Sequence, residues 1–143
     1  MVARIQTAAL SGVEVQAVDV QVHLARGALP GFNIVGLPNK AVSESRERVR
    51  AALAAIGMAI PPTRVTCNLA PADVLKEGSH YDLPIALALL VALGRVDADT
   101  AAQWVTVGEL GLDGSIAPVP GVLPVAIDAY SRGLGIACPA ANG

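Results

Sequence analysis

The densest run of reactive side chains is Lys76-Glu77-Gly78-Ser79-His80-Tyr81-Asp82, which holds a serine, a histidine and an acid. A nucleophilic triad needs those three groups to converge on one point from separated backbone positions. Ser79, His80 and Asp82 lie within four residues of one another, too close to converge easily. The structural alternative is a glycine-containing loop in which Asp82 caps the following helix. An anion could seat at that helix N-terminus, but an aspartate in the cap position would repel it. The second concentration of charge is Lys40, Arg46, Arg48 and Arg50. Arg46 and Arg50 share a helix face, and such a stripe could hold phosphates. Its alternative is a solvated face laced with Glu44 and Glu47.

Other chemistries lack their residues. No GxxxxGK[ST] phosphate loop occurs, and the two lysines, Lys40 and Lys76, follow no suitable glycine. No GxGxxG opens a helix and no HExxH occurs. His23 and His80 are far apart, so metal catalysis has little support. Cys67 and Cys138 stand alone, without CxxC spacing, and read as two reduced core thiols.

The elements that must carry these residues follow from pattern and punctuation. Val2–Leu10 and Val13–Leu24 read as a hairpin turned by Ser11-Gly12. Its second strand changes phase near Ala17-Val18, which predicts a bulge or strong bend. Phe32–Val35 is a short strand. Asn39 opens a helix to about Ile56, with Val42, Val49, Leu53 and Ile56 at helical spacing and Gly57 closing it. Glu44 and Arg48 form an i,i+4 pair in the favourable order. Arg64–Leu69 is a strand between prolines. Asp82-Leu83-Pro84 starts a helix to Leu93, apolar nearly all round and therefore buried. Trp104–Leu110 and Ser115–Val119 read as a hairpin across Asp113-Gly114. A helix, Val122–Arg132, and a strand, Leu134–Cys138, follow. The order ββ-β-α-β-α-β-β-α-β implies an α/β or α+β fold on a mixed sheet, rather than a parallel sheet wound on both faces.

Composition narrows the function classes. The chain has 143 residues, 53% hydrophobic, 15% charged and 3% aromatic, with 26 alanines. Mean hydropathy is +0.54, yet the most helix-like apolar run, Leu83 to Gly94, is 12 residues. A membrane span needs about 20. The N-terminus carries no signal-peptide pattern. A net charge of −2 and a pI of 5.6 argue against a free-standing nucleic-acid module. Four scattered aromatics cannot form a base-stacking platform.

Three blocks in order, FNIVGLPNKAVSESRERVRAAL, NLAPADVLKEGSHYDLPIALALL and GELGLDGSIAPVPGVLPVA, carry a family likeness. The chain resembles, over essentially its whole length, the N-terminal domain of the Mg-chelatase-like AAA+ ATPases of the ComM/YifB competence-protein type. That domain is similar in turn to the proteolytic domain of Lon protease and the C-terminal domain of the RadA recombination protein. The resemblance implies a fold of the ribosomal protein S5 domain 2-like group. It also implies that residues 1–143 are the Lon-like domain, with the ATPase domain and its ATP and Mg beyond residue 143. Lon proteases use a serine–lysine dyad. Aligned on Ile85-Ala86 of the helix that follows, the serine position falls on Asp82 and the lysine position on Leu123. No lysine follows Lys76. A serine alkoxide needs a base that is neutral at working pH, and leucine cannot accept a proton. The resemblance therefore implies a vacant dyad and no cofactor in this stretch. It further implies a homo-oligomeric ring, a hexamer, acting on DNA in the cytoplasm, with no membrane role. Lys40, Arg46 and Arg50 are the candidate DNA contacts. A protein-interaction adaptor, and a peptidase using Ser79 with Lys76 or His80, are the competing readings.

Overall fold

A computed structural model of the chain describes residues 2–12 and 14–142. The elements run β1 (Ala3–Ser11), β2 (Glu14–Ala25), β3 (Gly31–Val35), α1 (Lys40–Ser43), α2 (Ser45–Ala55), β4 (Arg64–Ala70) and α3 (Asp82–Ala92). Then come α4 (Ala98–Ala101), β5 (Trp104–Thr106), β6 (Glu109–Leu110), β7 (Ile116–Ala117), α5 (Val122–Ser131) and β8 (Gly135–Ala137). Six strands form one mixed sheet in the order β3-β4-β2-β1-β5-β8. β2 is antiparallel to β1 and β4, while β3–β4, β1–β5 and β5–β8 are parallel. The expected mixed α/β class is what the chain adopts. No helix among the described residues is long and apolar enough to cross a membrane.

The two sheet faces are covered unequally. Ile5, Val18, Val20, Val22, Val65 and Leu69 point to one face and are buried under α2 and α3. Helix α3 lies against β1 and β2, and Ile85, Ala88 and Leu89 are fully enclosed there. The two larger side chains, Ile85 and Leu89, contribute roughly 1.5–3 kcal/mol each on leaving water. The opposite face is covered only at one corner. There Val125 and Ala129 of α5 pack with Ala8, Val105 and Val107, and Leu10 and Val15 join them.

This asymmetry explains the phase change in β2. The pairing with β1 runs without interruption from Ala3↔Val22 to Ser11↔Glu14, so the bulge expected near Ala17-Val18 is absent. Val15 serves the α5 side and Val18, Val20 and Val22 the α2/α3 side. One regular strand thus feeds two cores in succession. Ser11 is itself paired, so the part of Ser11-Gly12 that turns is Gly12, at φ 62°.

Two other expected elements divide. Asn39 caps a helix as anticipated, accepting from Val42 N at 3.0 Å, but that helix breaks at Glu44 into α1 and α2. Met58 N donates to Leu53 O and Gly57 N to Ala54 O, a Schellman closure at the C-terminus of α2. The strand expected over Trp104–Leu110 bends out of the sheet after Thr106. Gly108 N donates to His80 O, and Gly108 O accepts from Leu83 N. The second half pairs as a small β6–β7 ribbon around the Asp113-Gly114 turn. The short α4, capped by Asp97, was not anticipated.

Candidate functional site

Asp82 was expected to cap α3; instead it is the first residue of the helix and its side chain makes no cap bond. Its carboxylate turns inward and is fully buried. Oδ1 accepts from Ser45 Oγ at 2.5 Å and from Arg48 Nη2 at 3.1 Å. Oδ2 accepts from Arg48 Nε at 2.6 Å and from Leu110 N at 3.1 Å. Four donors match the four lone-pair sites of a carboxylate. The cap role loses because two charge-assisted bonds from a guanidinium outweigh one neutral cap bond. Asp82 thereby joins α2, α3 and β6 at one point.

Arg48 also accounts for the break at Glu44. Its Nη2 donates to Ala41 O at 3.0 Å, and Arg46 Nε donates to Ser43 O at 3.0 Å. Side chains inserted on the carbonyls of a helix interrupt its ladder. Arg48 keeps a longer contact, 3.8 Å, to Glu44. The bond to Asp82 raises the guanidinium pKa above its ordinary value, against an opposing effect of burial. Sequence reasoning missed Ser45 and Arg48 as partners of Asp82. The available signal was their spacing of three, which puts both on one face of α2.

The reactive loop is tied down elsewhere. Lys76 is fully buried, and its Nζ donates to the carbonyl of Pro71. Its backbone bonds Leu37 O and Asn39 N, clamping the turn before α1. Loss of solvent pulls the ammonium pKa down, partly offset by Asp73. His80 is buried, with Nε2 2.7 Å from Ala8 O and its ring 4.2 Å from that of Tyr81. Burial lowers its pKa, opposed by the Ala8 bond and by Asp82. Ser79 opens a short turn beside them. Neither base is hydrogen-bonded to it, and Asp82 is engaged with Arg48. The Ser79–His80–Asp82 run is therefore not assembled as a triad.

Leu123 is the second residue of α5 and is 71% exposed. Asp82 is wholly enclosed, so the two positions do not open onto a common site. The helix cations are partly engaged too. Arg46 Nη1 donates to Phe32 O at 3.4 Å, and the Arg50 guanidinium stands 5.7 Å above the Phe32 ring. Arg50, Phe32 and Glu47 line an open groove of about 560 Å³ with Pro61 and Pro62. Lys40 is exposed at the start of the four-residue α1.

The residues present do not fit a nucleotide and its Mg. The chain has two lysines, one bound to Pro71 and one on a four-residue helix, and no glycine-rich phosphate loop. Among the described residues no group of His, Cys, Asp and Glu side chains could hold a metal ion. Cys67 and Cys138 are free thiols; burial pushes the Cys67 pKa up to about 12.

Comparison with known proteins places the chain in a family. The family described as subunit ChlI of Mg-chelatase matches residues 20–142. The uncharacterised protein YifB of Escherichia coli is 44% identical over 129 residues, 90% of this chain and 25% of that protein. Competence protein ComM of Haemophilus influenzae is 46% identical over 118 residues, 82% of this chain and 23% of that protein. A Mycobacterium bovis protein, Mb2921c, is 40% identical over 125 residues, 87% of this chain and 25% of its own length. The chain thus spans about a quarter of the length of the curated relatives it matches. With 123 of its 143 residues inside the matched region, and relatives at this identity across most of its length, the chain belongs to the Mg-chelatase subunit ChlI family, alongside YifB and ComM.

Proposed function

We propose that this chain is the non-catalytic N-terminal domain, residues 1–143, of a ring-forming AAA+ ATPase of the ComM type. Its work is assembly and DNA contact, on branched DNA in recombination during natural transformation. The observation that carries the reading is the Asp82 clamp. Where a Lon-like peptidase needs a reactive serine, this chain has a buried carboxylate with every lone pair occupied. The partner position, Leu123, offers no base. A scaffold without chemistry of its own serves the protein it is joined to. ATP and Mg belong, in this reading, to an ATPase domain outside these residues.

The assembly half draws on α5. Leu123, Ile127 and Tyr130 are 71%, 62% and 77% exposed and recur at i, i+4 and i+7. An exposed apolar stripe at that spacing suits a helix-face contact with a neighbouring copy in a hexamer. The DNA half draws on Lys40, Arg46 and Arg50, on the surface that carries α1 and α2, and on the name of the competence relative. The protein acts in the cytoplasm in this reading.

The test uses the full-length natural protein. Removal of residues 1–143 should abolish ring formation or branched-DNA unwinding, read by analytical ultracentrifugation and a labelled four-way junction. Unchanged assembly and unwinding would sink the proposal. The same stripe favours one second reading, an adaptor that docks another protein without DNA. Loss of a protein partner, but not of DNA affinity, on Ile127→Asp would select it.

A further inference from the structure

We propose that the groove lined by α2 and the Pro61-Pro62 turn takes an unpaired nucleobase of a DNA strand whose phosphate lies on Arg46. This rests on the reading that the domain contacts DNA through Arg46 and Arg50, and it names the form of DNA that surface selects. The groove holds about 560 Å³, inside the range of about 300–1,000 Å³ usual for small-ligand sites. Phe32 and Val65, both buried, form its floor. Helix α2 lines it with Ala51 and Ala54, and the turn into β4 lines it with Pro61 and Pro62. Alanine and proline side chains are short and carry no hydrogen-bonding groups. They leave an apolar slot that suits a flat ring. Arg50 stands over the Phe32 ring and is itself exposed, so a base can stack on the side of its guanidinium turned away from Phe32. Unstacked bases rest on arginine planes as well as on aromatic rings.

Charge selects the occupant. Arg46 and Arg50 share one face of α2, about a turn apart. Among the described residues no carboxylate comes within 4.0 Å of either; the ion pairs belong to Arg4, Arg48 and Arg132. The bonds of Arg46 to Ser43 O and Phe32 O go to neutral carbonyls and leave its charge unanswered. Arg64, likewise without a carboxylate, comes to the same strand edge from the other face of the sheet. Its Nη1 stands 3.7 Å from where a β-carbon of Gly31 would be. Against these three cations the groove sets one acid, the exposed Glu47. An apolar peptide would answer none of these charges, and an acidic one would meet Glu47. A nucleotide answers the groove's own charges: its phosphate pairs with Arg46, its ring stacks on Arg50, and an amino group of adenine, cytosine or guanine donates to Glu47. A base inside a duplex is paired and stacked and cannot enter. The groove therefore selects single-stranded segments, such as those at a branch point, and leaves duplex to phosphate contacts alone.

The test is Ala54→Phe in the full-length natural protein, which puts a ring into the slot and leaves the arginines in place. Anisotropy is read on a labelled mixed-sequence single strand and on its blunt duplex. Ala54→Phe should lose about tenfold in affinity for the single strand, the cost of one stacked base, and bind the duplex as the natural protein does. R46Q/R50Q, beside it, should weaken single strand and duplex alike. An unchanged thermal midpoint checks that Ala54→Phe folds. A second measurement needs no variant: a single strand carrying 5-iodocytosine should photo-cross-link to residues 47–62 of the natural protein, and its duplex should not. A single strand bound equally by Ala54→Phe and the natural protein, or cross-linked only elsewhere, overturns the groove and leaves the DNA reading intact. Displacement of the strand by an equal concentration of free deoxynucleotide overturns the strand as the occupant. A silent R46Q/R50Q sinks the surface and this groove with it. A natural protein that binds no DNA defeats both readings.

Discussion

Arg48 grips the Asp82 carboxylate through two nitrogens, Nε at 2.6 Å and Nη2 at 3.1 Å, across 34 residues of sequence. The acid is fully buried and the guanidinium about three-quarters buried. Removing one partner of such a pair leaves an uncompensated charge, which costs about 3–5 kcal/mol. Arg48→Met should therefore destabilise the fold by about 3 kcal/mol, the lower end, because Ser45 and Leu110 N still serve the carboxylate. The double variant R48M/D82L should recover most of that loss, since an apolar pair of similar volume is often neutral. Urea unfolding of the wild type and both variants checks it. A double variant as unstable as R48M would show that packing, not charge, dominates.

His80 gives stability a pH dependence with a fixed sign. Burial lowers its folded-state pKa below the unfolded value of about 6.5. The unfolded chain then binds more protons in that window, so stability is full above pH about 6.5 and falls as pH drops. His80→Gln keeps a side-chain donor for Ala8 O without the titration. It should flatten the acid limb of the stability curve. Urea midpoints from pH 7.5 to 5 for both proteins decide this, and parallel curves would assign the limb to other groups.

What could be read from the sequence, and what could not, divides by range. Asn39 as a cap, Gly57 as a helix end and Asp113-Gly114 as a turn are local chemistry, and they stand where expected. The apolar run of α3 announced its burial for the same reason. The clamp was not legible, because Asp82 looks like a cap until Ser45 and Arg48 are folded against it. The helix break at Glu44 goes with the bonds of Arg48 to Ala41 O and of Arg46 to Ser43 O, which the spacing of apolar residues does not announce. The change of face along β2 mimicked a bulge, because alternation alone cannot say that two cores lie on opposite sides. Of the site, the resemblance implied aspartate and leucine at the serine and lysine positions. It said nothing of the structural use of Asp82.

Gly36 should be the least replaceable glycine of the first crossover. It sits at φ 104°, and a β-carbon there would run into the backbone of Leu69. Neither strain nor overlap can relax without separating β3 from β4, so Gly36→Ala should cost at least about 2 kcal/mol. Gly57, at φ 78° with open space around it, should lose only about 1 kcal/mol as alanine. Thermal unfolding ranks the two, and equal losses would refute the close approach to Leu69.

The two thiols should differ sharply in reactivity. Cys67 is buried and its pKa is pushed up to about 12, so almost no thiolate exists at neutral pH. Cys138 is partly exposed. In the native protein a maleimide or disulfide reagent should modify Cys138 first, and Cys67 only on unfolding. Mass spectrometry of partially labelled protein reads the order; early loss of Cys67 would mean that β4 opens readily.

Restoring the residue types of a serine–lysine dyad should not restore hydrolysis. The variant D82S/L123K would place a hydroxyl in a closed pocket beside Ser45 and Arg48, and an amine on an exposed helix turn. A general base must come within hydrogen-bond reach of the proton it removes. It must also be neutral, and a solvated lysine keeps its proton at pH 8. The variant should therefore be as inactive on fluorogenic peptides and casein as the parent chain. It should also be less stable, since Arg48 would lose its carboxylate. Ser79→Ala should change nothing in the same assay, because His80 and Lys76 are bound to Ala8 O and Pro71 O. Peptide cleavage that appears in D82S/L123K, or that vanishes in Ser79→Ala, would show that the fold still presents a working site.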